Sequence, residues 1–270
     1  MYSITFVVIP SMPLPRISSI VPFVLVFVLQ CLHVTSVRAQ SVSQPQDNSP
    51  DDVGLWLAVF DRGDIGHDSL SDAYKWWFDG HLRLFDDSDG FGQSIVRPGI
   101  GYSLSDQTTA WVGYGWIRTS PARGPGPING NQGVGPVSDI DEHRLWQQLT
   151  WSQKVEPVTV GLRSRMEERF FDNDSETALR FRQLLSWRHA LESKPELSLV
   201  LWDEVFINLN DTSTSVNGFD QNRLFLGFGR KSDSANPSRV EVGYLYQWVG
   251  SSAGSPLNNH LLSINFYMSP

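Results

Sequence analysis

Two neighbouring stretches hold the densest chemistry in the sequence. Across 157–170, Arg163, Arg165 and Arg169 share one side with Thr159 and Gly161, and Val158, Val160, Leu162, Met166 and Phe170 take the alternate positions. Across 177–190, Arg180, Arg182 and Arg188 stand opposite Leu179, Phe181, Leu185 and Trp187. Guanidinium groups offer a fixed fork of donors that matches carboxylates and phosphates. Glu167 is the one acidic residue on the arginine side of either stretch. Local pairing therefore cannot neutralise it, and acidic partners must come from elsewhere. The same alternation puts Arg83, Arg97, Arg144, Arg223 and Arg239 on equivalent sides of other stretches, together with Asp79, Glu204 and Glu241. Such a set either pairs into a plug or lines a basic passage for anions.

Other groupings are weaker. Ser186 and His189 have opposite parity on one stretch, as do His260 and Ser263 on another, so neither pair faces itself along a strand. The acidic run DDSDG at 86–90 lacks the ligand spacing and the later glutamate of a calcium loop, and reads as solvated loop, as does DNDSE at 172–176. These loops are suited to sharing divalent cations with lipopolysaccharide. No catalytic residue, metal ligand or cofactor site is assigned from the sequence.

The elements that must position the arginines are strands. Period-two alternation predicts eleven of them, at 53–60, 72–85, 95–104, 107–118, 141–154, 157–170, 177–190, 196–209, 219–231, 238–249 and 258–268. Most exceed the usual strand length of about 5–6 residues and match the roughly 9–11 needed to cross a bilayer at a tilt. Short turns such as Ser105-Asp106 and Glu156-Pro157 alternate with longer glycine-rich or acidic connections, among them 120–138 and 210–218. That alternation describes short periplasmic turns and longer extracellular loops. In SRVEVGYLYQW, at 238–248, Val240, Val242, Tyr244, Tyr246 and Trp248 alternate with Arg239, Glu241, Gly243, Leu245 and Gln247. An aliphatic face edged with Trp and Tyr suits lipid and its headgroups, so the charged face is assigned to the interior. On this parity Asp203 and Glu168 fall on the lipid side, a position that requires them to lie near a rim. Val242→Arg is expected to hinder assembly, and the same charge at Gly243 to be better tolerated.

The predicted fold class is all-β: an antiparallel up-and-down transmembrane β-barrel of 10–12 strands. Both ends of such a barrel belong on the short-turn side, which requires an even number. The eleven stretches are therefore expected to become ten, by loss of 53–60 as a wall strand, or twelve, by gain of one near 61–71. A soluble exported sandwich is the competing architecture.

Residues 1–39 contain no acidic side chain, and an apolar run from Ile20 to Leu29 precedes Val37-Arg38-Ala39. This reads as a signal peptide ending at Ala39, and a lipoprotein anchor at Cys31 is disfavoured by the bulky Gln30 beside it. A polar leader follows over 40–52, and the barrel spans 53–270. The sequence carries 21 basic and 29 acidic residues, and removal of Arg16 and Arg38 with the signal leaves 19 against 29. A balance that acidic excludes nucleic acid as a partner. Cys31 is the single cysteine and lies inside the signal, so no disulfide holds the remaining chain.

The C-terminal third resembles a family of bacterial outer-membrane barrels known as the domain of unknown function DUF2490. The residues concerned are WDEVFINLN at 202–210, GFDQNRLFLGFG at 218–229, RVEVGYLYQ at 239–247 and HLLSIN at 260–265. The resemblance implies a β-barrel in the outer membrane of a Gram-negative type cell and brings no activity with it. The expected role is a narrow passive pore or structural barrel with an arginine-rich lumen. A lipid-modifying hydrolase or acyltransferase is the alternative. Expected partners are outer-membrane lipid and lipopolysaccharide, the barrel-assembly machinery and, as cargo, small anionic solutes.

N-terminal sequencing of protein recovered from membranes should begin at Gln40. An acylated Cys31 at the new terminus would overturn the signal assignment.

Overall fold

The computed structural model describes residues 51–65, 73–85, 90–120, 139–232, 238–250 and 256–268. The signal peptide and most of the leader lie outside the described residues, as does the acidic run at 86–89. Eleven strands form a closed barrel: β1 (Asp51–Asp64), β2 (Tyr74–Phe85), β3 (Gly90–Ser103), β4 (Thr108–Thr119), β5 (Ile140–Val155), β6 (Val158–Phe171), β7 (Ala178–Leu191), β8 (Lys194–Asn208), β9 (Gly218–Lys231), β10 (Ser238–Val249) and β11 (Leu257–Met268). Each pairs antiparallel with its sequence neighbour.

The seam is different. β1 pairs with β11 in parallel, from Asp51 opposite Asn258 to Asp61 opposite Met268. This corrects the even count. A ring of antiparallel neighbours closes with an odd number of strands when one pair is parallel, and β1 is then a full wall strand of 14 residues. β1 thus runs in the same sense as β11, from the long-loop rim toward the short-turn rim.

Parity sorts the side chains. On β10, Arg239, Glu241, Leu245 and Gln247 are buried, whereas Val242 and Tyr244 are exposed. The outer surface carries Ile100, Val112, Leu226, Phe228 and Leu262, each more than half exposed. Tyr74, Tyr102 and Phe219 lie near strand ends. Of the two outward carboxylates, Glu168 pairs with Leu179, one residue inside the start of β7, and so lies near a rim. Asp203 does not. It faces Leu185 and Leu224 in mid-strand, where Asn222 Nδ2 donates to its Oδ2 at 2.9 Å. A side-chain amide takes the place of the expected rim.

The interior holds two apolar clusters. Trp56, Val200, Phe225, Leu245 and Leu261 form one, with Trp202 against it; Trp77, Trp111 and Trp146 form the other, with Phe60. Glycines make room for these rings. A Cβ at Gly99 would stand 2.5 and 2.6 Å from Trp146 ring atoms, and a Cβ at Gly243 would stand 2.8 Å from Phe225 Cζ. Gly243 therefore faces inward without space for a side chain, which corrects the expectation that it tolerates a charged side chain better than Val242 does.

Val242→Arg should cost about 2–4 kcal/mol if the site lies near the bilayer midplane, and Val242→Ala should cost much less. Gly243→Ala should already impair folding, because steric conflict with the Leu226 carbonyl oxygen, the Gly227 Cα and the Phe225 ring, and not charge, is the cause. Heat-modifiability gels and urea titration of refolded protein check both. A harmless Gly243→Ala would sink the packing argument.

Candidate functional site

Every arginine singled out in the sequence points into the barrel. Arg83, Arg97, Arg144, Arg165, Arg180, Arg182, Arg223 and Arg239 are buried, along with Glu167, Glu204 and Glu241; Arg163, Arg169 and Arg188 are half-buried. Each carboxylate gathers several guanidiniums, and shared arginines join Glu142, Glu167 and Glu204 into one network, whereas Asp79 and Glu241 hold their partners apart from it.

Nearest the long-loop rim, Glu142 on β5 accepts from Arg144 Nε at 2.5 Å and Arg169 Nε at 2.6 Å. Glu167 on β6 accepts from Arg180 at 2.7 Å and Arg182 at 2.6 Å, with Arg144 at 3.6 Å and Arg165 at 3.8 Å. Glu204 on β8 accepts from Arg163 at 2.7 Å and Arg182 at 2.8 Å, with Arg223 at 4.0 Å. Arg182 thus bridges two carboxylates. On the opposite wall Asp79 accepts from Trp77 Nε1 at 2.6 Å and Arg97 Nε at 2.8 Å, and lies 2.7 Å from His81 Nε2. Near the short-turn rim Glu241 accepts from Arg239 at 2.8 Å and from Arg188, across the lumen on β7, at 3.2 Å.

Carboxylates are too few for the arginines, and aromatic faces take part of the remainder. The Arg83 guanidinium lies 3.6 Å from the Trp56 ring centre and that of Arg223 lies 4.7 Å from it. Arg182 and Arg223 also cover Phe206, at 4.5 and 4.3 Å, and Arg165 covers Trp146 at 4.7 Å. A desolvated cation over an aromatic face gains about 2 kcal/mol or more. Some donors are left over. Arg83 Nε, Arg163 Nε, Arg188 Nε and both Nη atoms of Arg165 are buried without a hydrogen-bond partner.

The lumen is divided. A cavity of about 610 Å³ opens at the short-turn rim, and one of about 140 Å³ lies toward the long-loop rim. Arg83, Arg97, Arg182 and Arg223 line both. These four side chains form a waist between the two spaces.

Sequence reading overlooked Glu142 and gave no role to His81. Glu142 shares the parity of Arg144 two residues on, a signal that was present. His81 is the only inward histidine among the described residues: its Nδ1 accepts from Trp56 Nε1 at 3.0 Å and its Nε2 faces Asp79. Both ring nitrogens are engaged, which weighs against a general-base role. Ser186 Oγ donates inward to Gly161 O at 3.3 Å, whereas His189 packs outside against Trp187. His260 pairs outside with Tyr244, and Ser263 is buried inside.

At the long-loop rim Asp174 ties two loops. Its Oδ2 accepts from Thr214 N at 3.1 Å and Thr214 Oγ1 at 2.9 Å, and its Oδ1 from Glu176 N at 3.0 Å. The Ser213 hydroxyl foremost, then the Glu176 N–H and the hydroxyls of Thr214 and Thr212, hold its carboxyl well below the usual carboxylate range. A depressed folded value means that the link is complete above the unfolded pKa of about 3.9 and is lost as pH falls through the lower folded one. Among the described residues no group of three or more metal-binding side chains occurs.

The family model described as "Protein of unknown function (DUF2490)" matches residues 53–258, and the chain belongs to that family. An uncharacterised protein of Methylorubrum extorquens is 27% identical over 241 residues, covering 88% of this chain and 94% of the relative. Among solved structures, LpxR from Salmonella typhimurium is similar at 10% identity and a TM-score of 0.38, over 71% of this chain and 82% of that one, a likeness too distant to bear on chemistry.

Limited proteolysis at neutral pH should cut the 209–217 loop faster in Asp174→Ala than in the wild type. Equal rates would remove Asp174 as the tie.

Proposed function

We propose that this member of the DUF2490 family is an outer-membrane barrel providing a narrow passage for small anions that is closed at rest by its own side chains. One observation carries the reading: the two lumen cavities meet at a waist of four arginines, Arg83, Arg97, Arg182 and Arg223. The barrier consists of side chains, with no folded plug domain among the described residues, so rotamer changes suffice to breach it.

The belt of outward aliphatic residues supports placement in a membrane, and the signal-like N-terminus with strand crossings supports the outer membrane. Anion preference follows from the lumen's excess of guanidinium over carboxylate. Three carboxylates pin the waist: Asp79 holds Arg97, Glu167 and Glu204 share Arg182, and Glu204 approaches Arg223. The engaged ring of His81, and the separation of Ser186 from His189 across the wall, give the hydrolase reading no assembled base and nucleophile.

In planar bilayers the wild-type protein should be silent for long periods and show brief, small, anion-selective openings. Glu204→Gln should lengthen those openings, because it loosens Arg182 and Arg223 at the waist and frees Arg163 beside it, leaving Arg182 held by Glu167 alone. Steady ohmic conductance of the wild type would overturn the closed waist. Silence of both proteins, each verified as folded, would leave a structural barrel.

A further inference from the structure

We infer that the waist is a binding site for an organic oxyanion, a phosphate monoester or carboxylate carrying an apolar body, entered from the short-turn rim. The inference rests on the waist-and-vestibule reading above, and adds what the site holds.

Arg83 and Arg223 converge on one indole. Their guanidinium carbons lie 3.6 and 4.7 Å from the Trp56 ring centre, so they are no more than 8.3 Å apart, the sum of those two distances. A single oxyanion bridging two guanidiniums through charge-assisted hydrogen bonds of about 2.8 Å sets their carbons about 8 Å apart. Their greatest possible separation is thus close to the span that one anion closes.

Both side chains are short of counter-charge. Arg83, 5% exposed, makes no carboxylate ion pair among the described residues; it donates to Gln93 Oε1 at 2.5 Å, and its Nε has no partner. Arg223, 6% exposed, donates to Gln221 Oε1 at 3.0 Å and stands 4.0 Å from a Glu204 already held by two other arginines. Two adjacent buried cations with an idle donor gain most from a shared anion, which supplies charge and hydrogen bonds together.

The space beneath defines the rest of the ligand. The cavity of about 610 Å³ below these arginines is walled by Trp56, Phe60, Trp77, Trp111, Trp202 and Leu245. Its volume and its aromatic lining are those of a site for a small organic molecule with one polar end. A bare inorganic anion would leave that wall wet. At the mouth, Arg62, Lys75, Arg188 and Arg239 stand among Asp61, Asp64, Asp106 and Glu241, so the rim carries both signs and the excess of cations lies deeper, at the waist.

The test uses the full-length folded barrel in nonionic detergent, with titration calorimetry and tryptophan fluorescence as readouts and four probes: phenyl phosphate, benzoate, inorganic phosphate and phenol. Phenyl phosphate or benzoate should bind saturably, at least about tenfold more tightly than inorganic phosphate, and should perturb indole emission; phenol should not saturate. The stronger of the two organic anions identifies the headgroup class. Arg83→Gln together with Arg223→Gln should weaken the better probe by about tenfold or more. That variant strands no closely paired carboxylate, so heat-modifiability should show a folded barrel. If it fails to fold, the wild-type titrations still decide. No saturable binding of either organic anion by wild type overturns the site. Equal affinity for inorganic phosphate overturns the apolar body, and unchanged affinity in the folded double variant overturns the placement. Conductance is recorded separately: openings without binding sink this site alone, and binding without openings sinks the passage alone.

Discussion

Inside this barrel, Asp79, Glu142, Glu167, Glu204, Asp220 and Glu241 share the lumen with nearly twice as many arginines. Burying a charge without a partner is costly, so the arrangement must make each carboxylate serve several cations. It does so by using guanidinium forks. Glu167 takes Arg180 on one oxygen and Arg182 on the other, and Arg182 uses its remaining nitrogens on Glu204. Lysine, with a compact and strongly hydrated ammonium, has no equivalent geometry. The network spans β5, β6, β7 and β8, and through Arg223 it reaches β9, so it ties adjacent walls as well as filling the space between them.

What carboxylates do not neutralise, aromatic rings partly do, and this sets the backbone requirements. Trp146 can lie flat against the wall only where Gly99 and Gly113 leave the surface bare. The pair Gly227 and Gly243 does the same beneath Phe225. Arg165 rests over the ring that Gly99 and Gly113 make room for. The glycines on the inward parity are therefore part of the electrostatic solution: without them the rings would stand off the wall, and the guanidiniums would lose the faces they cover.

Much of this was legible in the sequence, and the limit has a physical origin. Period-two alternation locates strands because each pleat sends neighbours to opposite sides, so the barrel and the side to which each arginine points follow from parity. β10 is the clear case, with the same bounds in sequence and structure. Parity is blind to depth and to the opposite wall. It placed Gly243 inward but could not show Phe225 lying against it. It also could not show that Arg188 on β7 meets Glu241 on β10, since that contact depends on the diameter and register of the closed ring. The eleven stretches are the eleven wall strands, and only the demand for an even number fails, for a related reason: it came from a rule about chain ends, whereas the ring here closes through the parallel β1–β11 pair.

Asymmetry along the axis is the last consequence of the same charge imbalance. Toward the long-loop rim the carboxylates Glu142 and Glu167 lie among Arg144, Arg169 and Arg180, and the space left is about 140 Å³. Toward the short-turn rim aromatic rings and small residues such as Gly161 and Ser186 line the wall, and about 610 Å³ remains. One half of the lumen is thus filled by paired charge, while the other stays open, with arginines at its base and charges of both signs at its mouth. A solute arriving at the short-turn rim meets a roomy, cationic, aromatic chamber before any barrier; one arriving from the opposite rim meets the paired layer first. The two directions of approach are physically inequivalent, and the difference lies in where the carboxylates stand, since guanidiniums are present at every level.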